Sequence, residues 1–116
     1  MTEAPDRAAR EDALEKAQEL LAALVEVASA FQHQAEVSAM LVEALASETP
    51  MTAIVANFAV AAERDRMSSA LDQYETLRRE TRLAVWRTLR AEGCSIGEIS
   101  RMFGLSRQLV SRQLSS

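Results

Sequence analysis

Residues 95–116 read SIGEISRMFGLSRQLVSRQLSS, and this segment carries the strongest structural signal in the chain. Ser95 and Glu98 have the spacing of a capping box, in which two side chains satisfy backbone N–H groups at a helix start. Apolar residues then recur on one helical face, at Ile96, Ile99 and Phe103. The spacing therefore predicts a short amphipathic helix that begins directly after Ser95.

A tight turn and a second helix follow. Gly104 supplies the left-handed backbone that such a turn needs, and Ser106 can cap a helix over residues 107–114. Ser100 is small, as required where two helices cross closely, and Val110 faces back toward the first helix. Together these features predict a helix-turn-helix, in which the second helix normally lies in the major groove of DNA.

The outer face of the second helix is polar and has no acidic residue. It consists of Ser106, Arg107, Gln108, Ser111 and Arg112. Arginine can pair with guanine and glutamine with adenine, while serine contacts phosphate or base edges. We therefore expect double-stranded DNA as a partner. The predicted roles are base contacts by Arg107, Gln108, Ser111 and Arg112, and phosphate contacts by Ser106 and Arg101.

This segment resembles the helix-turn-helix of the resolvase/invertase family and of the promoter-reading fourth region of sigma factors. The resemblance rests on GCSIGEIS (residues 93–100) and GLSRQLVSRQL (residues 104–114), about a fifth of the chain. Many such domains carry alanine where Ser100 stands, and serine is also small. The resemblance implies a fold and DNA contact. It implies neither recombinase nor sigma activity, since residues 1–92 contain nothing similar to the other parts of those proteins.

Composition indicates an all-α protein, because 48% of the 116 residues are hydrophobic and only three are Gly and two Pro. Charge is segregated: residues 1–66 carry 12 acidic and 5 basic residues, and residues 67–116 carry 5 acidic and 8 basic ones. This asymmetry suits an acidic end joined to an end that binds nucleic acid. The single cysteine, the absence of a signal peptide and the absence of a bilayer-spanning apolar run predict a cytoplasmic protein with no membrane partner.

A long helix is predicted from Pro5 to about Ala46. Apolar or small residues recur in it at alternating steps of three and four: Leu14, Ala17, Leu21, Leu24, Ala28, Phe31, Ala35, Ser38, Val42 and Leu45. Such a heptad seam is typical of a coiled coil or bundle. A helix of about forty residues is about 60 Å long, so it needs a packing partner.

Part of that partner is expected later in the chain. Thr49 is predicted to cap a second helix with Pro50 in its first turn. The apolar side of this helix contains Ile54, Val55, Phe58 and Ala61, and it can fold back as a helical hairpin. The apolar pattern lapses over residues 64–69, which predicts a bend or short break.

A third helix is predicted from Ala70 to Ala91, with Gly93 at its C-terminal end. Its later half should be the first helix of a trihelical DNA-binding core, with Trp86 packed against the two motif helices. Two interpretations stay open for its basic residues, phosphate contact or a solvated face paired with Glu75 and Glu80. The residues concerned are Arg78, Arg79, Arg82 and Arg90.

We therefore expect residues 1–69 to form an N-terminal helical hairpin and residues 70–116 the helix-turn-helix DNA-binding domain. A hairpin leaves a wide apolar stripe uncovered, which is rare in monomers. Pairing of two hairpins into a four-helix bundle would cover it. The chain is thus expected to act as a homodimer that reads two half-sites.

Catalysis and cofactors are not expected. His33 is the only histidine, it stands among Gln32, Gln34 and Glu36 on the long helix, and no convergent metal ligands accompany it. Cys94 is interpreted as a tolerated small residue beside Gly93.

The sequence thus indicates a sequence-specific DNA-binding transcriptional regulator. One alternative is a helical interaction protein, whose acidic N-terminal helices bind a sigma factor, polymerase or other protein partner. Another is a ligand-responsive regulator with an apolar pocket near Phe31, Met40, Met51 and Phe58, although such residues usually form plain core.

Overall fold

The computed structural model describes residues 3–58 and 60–116, and the side chains of residues 7–58 and 61–116. All elements in these ranges are helices: α1 (Glu3–Ala46), α2 (Met51–Asn57), α3 (Val60–Ala91), α4 (Ile96–Phe103) and α5 (Arg107–Ser115). The predicted all-α class and the long N-terminal helix are confirmed. The described helices form two compact units: residues 1–21 together with 76–116 (unit 1), and residues 22–75 (unit 2).

Unit 1 is built around a small apolar core. Trp86, Ile99 and Val110 have no exposed surface, and each comes from a different helix. Further apolar residues pack around them: Leu83, Leu89, Cys94, Ile96, Leu105 and Leu114. The expectation that Trp86 packs against the two motif helices is confirmed.

Within unit 1, α3 runs antiparallel to the start of α1. The Thr88 hydroxyl donates to the Ala9 carbonyl at 3.1 Å, and the Thr81 hydroxyl donates to the Lys16 carbonyl at 3.0 Å. An ion pair between Lys16 and Glu80, 3.4 Å apart, lies beside the second of these bonds and raises the pKa of Lys16. These contacts fix the register of the two helices.

The C-terminal end of α3 shows why Gly93 was expected there. Gly93 has a φ of 101°, which favours glycine. Its N–H donates to the Arg90 carbonyl, and the N–H of Cys94 donates to the Leu89 carbonyl at 2.9 Å. This is the hydrogen-bond pattern of a Schellman motif, which turns the chain toward α4.

In unit 2, a stripe of small and branched residues on α1 is buried. Its members are Ala23, Val27 and Ala30, and Ile54 of α2 is also buried. The small side chains of Ala23 and Ala30 allow close approach of a neighbouring helix. Elsewhere in unit 2, the Glu63 carboxylate near the start of α3 is hydrogen-bonded to Nε2 of His33 at 2.6 Å.

The predicted heptad seam is not the face that α1 buries in its own chain. All ten seam positions, from Leu14 to Leu45, are exposed. The buried stripe lies beside the seam, and its central members are Ala23, Val27 and Ala30. The seam is therefore not buried within the described part of the chain, although Phe31 and Leu45 line a groove beside α2.

Three boundary predictions were wrong. Residues 64–69 contain neither a bend nor a break, because α3 is continuous from Val60 and does not begin at Ala70. The helical structure is interrupted instead at Phe58, whose backbone is extended. Thr49 does not cap α2: Pro50 occupies the N-cap position without a side-chain cap, and the Thr49 hydroxyl bonds Ser47 at 2.7 Å.

Candidate nucleic-acid interface

The start of α4 is fixed by the predicted capping box, which is confirmed. Ser95 Oγ accepts a hydrogen bond from the Glu98 N–H at 3.1 Å, and the Glu98 carboxylate accepts one from the Ser95 N–H at 3.2 Å. These hydrogen bonds lower the pKa of Glu98 below its ordinary value. The charged carboxylate therefore stabilises the first turn of α4.

The turn between α4 and α5 also follows its sequence signals. Gly104 is left-handed, with φ 64° and ψ 33°, and ends α4. Ser106 then caps α5, since its Oγ accepts from the Leu109 N–H at 3.1 Å. Three residues thus connect the two helices, and both ends of the connection are fixed by backbone hydrogen bonds.

Ser100 does more than leave space at this turn. Its carbonyl accepts hydrogen bonds from the N–H groups of Gly104 and Leu105. Its hydroxyl also donates to the Leu105 carbonyl. The sequence pattern marks Ser100 only as a small residue and gives no sign of this hydrogen bond, which an alanine could not make.

The six predicted contact residues are all exposed in unit 1: Arg101, Ser106, Arg107, Gln108, Ser111 and Arg112. Residue Arg101 lies in the last turn of α4, and the others lie at the start and along the outer face of α5. Among the described side chains, those of residues 7–58 and 61–116, no ion pair occupies the guanidinium groups of Arg101, Arg107 or Arg112. These three cations are therefore available to an external anion.

Arg107 is held by a contact that the sequence did not reveal. Its guanidinium lies against Gly97 of α4, so closely that a Cβ atom at Gly97 would be 2.6 Å from Nη2. Gly97 is itself buried. The absence of a side chain at Gly97 therefore gives Arg107 its place beside α4.

Arg82 has a structural role in unit 1. This role favours neither phosphate contact nor a solvated, ion-paired helix face, the two interpretations proposed for it. Its guanidinium lies 5.0 Å from the Trp86 ring, and Nη2 donates to Gln113 Oε1 at 3.1 Å. Arg82 thereby connects α3 to α5 across the aromatic core. Arg90 is likewise engaged, because Nη1 donates to the Cys94 carbonyl at 3.0 Å.

Charge differs strongly between the two units. The residues assigned to unit 1 include 9 acidic and 11 basic ones, a balance of +2. Those of unit 2 include 8 acidic and 2 basic ones, a balance of −6. Arg101, Arg107 and Arg112 thus lie in the unit with a positive balance, which favours attraction of a polyanion to that unit.

A groove in unit 2 bears on the alternative interpretations. It has a volume of about 640 Å³, and Phe31, Met51 and Phe58 line it together with Val55. Met40 is not part of its lining and is 57% exposed. The groove is mostly apolar, and three of the four residues named by the ligand-responsive alternative line it.

No group of three or more His, Cys, Asp or Glu side chains is arranged to hold a metal ion in the described residues. The Glu63 carboxylate lies beside His33, but these two side chains alone are too few to hold a metal ion. No described helix has the length and apolar character of a bilayer span.

Comparison with known proteins gives no match: no family model fits the chain, and no curated protein or solved structure is significantly similar to it.

Proposed function

We propose that this chain is a sequence-specific DNA-binding transcriptional regulator that inserts α5 into the major groove and acts as a homodimer. The observation that supports it most is the outer face of α5, which is exposed, polar and free of acidic side chains. The buried cluster of Trp86, Ile99 and Val110 holds this face in place. Such a rigid, cationic helix face suits base-edge contacts.

Base contacts and phosphate contacts are expected to affect DNA affinity in different ways. Arg107→Ala and Arg112→Ala should each cost about 1–3 kcal/mol and relax the preference at one base pair, if the contact is bidentate. Arg101→Ala should weaken binding to all sequences and reduce the slope of log K against log salt by about one. Arg66→Ala in unit 2 is the charge-matched control, and it should change neither the DNA affinity nor its salt dependence.

The test is selection of bound DNA from a random pool at near-physiological salt, followed by sequencing. An enriched inverted repeat supports a dimeric regulator, and its spacing measures the separation of the two recognition helices. An enriched single site supports the DNA reader and contradicts a symmetric dimer on DNA. Weak binding that is abolished by salt, with no enriched sequence, contradicts the proposed function.

Unit 2 favours a second candidate, in which the chain binds another protein. Its balance of −6 and its apolar groove fit a partner segment that is basic and apolar, as in helix-in-groove recognition. In that case function should survive Arg107→Ala and Arg112→Ala. The groove substitution Val55→Arg should abolish it instead, whereas Met40→Arg, at a similarly exposed residue outside both the groove and the seam, should not.

A further inference from the structure

Helix α1 has two faces suited to packing, and only one of them is buried in the part of the chain that the structure describes. The exposed face consists of the ten seam residues, which occupy the a and d positions of a heptad repeat; Phe31 and Leu45 also line the groove beside α2. The a positions are Leu14, Leu21, Ala28, Ala35 and Val42, and the d positions are Ala17, Leu24, Phe31, Ser38 and Leu45. The large members that are exposed by 41–65% are Leu14, Leu21, Leu24, Phe31, Val42 and Leu45. A patch of this extent is rare on a monomer.

The charges of α1 are kept away from this seam. All flanking e and g positions are uncharged: Gln18, Leu20, Val25, Val27, Gln32, Gln34, Ala39 and Leu41. The acidic residues between positions 14 and 45 all occupy b and f positions: Glu15, Glu19, Glu26, Glu36 and Glu43. Two copies of this acidic helix can therefore meet along the seam without placing like charges opposite each other.

The sizes of the seam residues decide the direction of pairing. In a parallel, in-register pair, each residue meets its own copy, so that Ala28 and Ala35 would leave voids while the Phe31 side chains would crowd each other. In an antiparallel pair centred between Ser29 and Ala30, each a residue meets a d residue. The facing pairs are then Leu14 with Leu45, Ala17 with Val42, Leu21 with Ser38, Leu24 with Ala35, and Ala28 with Phe31. Every small residue faces a large one in this register.

We infer that the seam is covered by a second copy of the chain, whose α1 packs antiparallel with the two-fold axis between Ser29 and Ala30. This inference rests on the homodimer in the proposed function, but it needs no DNA. The second copy covers the a and d positions, while the stripe containing Ala23 and Val27 is already buried within each chain. Each α1 is then packed on two neighbouring faces, as in a helical bundle.

Cysteine cross-linking tests the register directly. The variants Ala17→Cys and Val42→Cys are made singly and together in a Cys94→Ser background. In one helix these positions are about 37 Å apart, so a disulfide between them must join two chains. On mild oxidation, the double variant and a mixture of the two single variants should form covalent dimers, and each single variant alone should not. Self-cross-linking of the single variants would show a parallel pair and overturn the inference.

A pair of adjacent substitutions tests whether this face is the interface. Ala28→Glu places a charge at an a position, and Ser29→Glu places the same charge at the neighbouring b position. Both residues are exposed in the single chain, so both variants should keep the helical content of the parent. In sedimentation, Ala28→Glu should raise the dimer dissociation constant at least tenfold, and Ser29→Glu should leave it nearly unchanged. A stable monomeric parent, or equal effects of the two substitutions, would overturn the inference.

These experiments separate the dimer from the proposed function. Cross-links at 17 and 42 without DNA selection would leave the antiparallel pair intact and contradict DNA reading. Selection of an inverted repeat without these cross-links would support the regulator and overturn this register.

Discussion

At the scale of single residues, Ser100 stabilises the turn between α4 and α5 with a side-chain hydrogen bond. Ser100→Ala removes the hydroxyl that donates to the Leu105 carbonyl. We expect the free energy of unfolding to fall by about 1 kcal/mol, measured by chemical denaturation. Ser29→Ala is the control, because Ser29 is an exposed helical serine on α1. Equal stability of the two variants would show that the Ser100 bond contributes nothing.

Substitution of Gly97 tests the proposed DNA contact of Arg107 separately from stability. A Cβ at this position meets only the flexible end of Arg107, so Gly97→Ala should be tolerated. Alanine in place of a helical glycine should raise the free energy of unfolding by about 0.5–1 kcal/mol. The displaced guanidinium should at the same time weaken binding to the selected DNA site. Unchanged DNA affinity, with the stability gain present, would show that the position of Arg107 is irrelevant to recognition.

The exposure of the proposed contact residues could be predicted one residue at a time, but the interactions that hold them in place could not. Gln108, Ser111 and Arg112 follow from helical periodicity alone. The contact of Arg82 with Trp86 and Gln113 joins residues up to 31 positions apart, and no local pattern encodes such a distance. The same holds for Gly97 and Arg107, whose contact depends on the angle between two helices.

At the scale of elements, the start of α4 links helix capping to pH. The lowered pKa of Glu98 means that its charged form is favoured in the folded state. Its stabilising contribution is therefore complete above the ordinary carboxyl value of 4.5 and is lost as pH falls through the lowered pKa. Glu98→Gln should thus be less stable than the parent at pH 6, and the difference should shrink toward pH 3.

Urea unfolding at several pH values measures this difference. Glu15→Gln is the control, because it removes an exposed carboxylate from α1. A difference for Glu98→Gln that stays constant from pH 6 to pH 3 would contradict a role for the carboxylate charge in the cap.

Element boundaries were predictable where a cap residue or glycine marks them. Ser95, Gly104 and Ser106 are short-range signals, and the helices begin and end beside them. The break at Phe58 has no such marker. Conversely, residues 64–69 lost the apolar pattern but kept residues compatible with a helix, such as Arg66 and Met67, so α3 continues through them.

At the scale of the whole molecule, a heptad pattern identifies a packing face without naming its partner. The sequence showed the seam from Leu14 to Leu45, and the chain buries the adjacent stripe instead. Small residues such as Ala23 and Ala30 make that stripe suitable for close packing within one chain. Which of two apolar faces packs internally depends on tertiary contacts that periodicity does not contain.

Under the proposed function, the separation of charge between the two units predicts weak binding to non-specific DNA. Unit 2 has a balance of −6, so it should repel the phosphate backbone at low ionic strength. The double variant Glu26→Gln, Glu43→Gln removes two negative charges at exposed positions away from the seam and changes the net charge from −4 to −2. We expect it to bind random-sequence DNA about twofold more tightly at about 20 mM salt, and equally at about 300 mM, because the field is then screened. Preference for the selected site should not change, since α5 is untouched. Fluorescence anisotropy at the two salt concentrations measures both affinities. A gain that persists at high salt would mean that these carboxylates lie at the DNA contact itself, and that DNA binding involves α1 as well as α5.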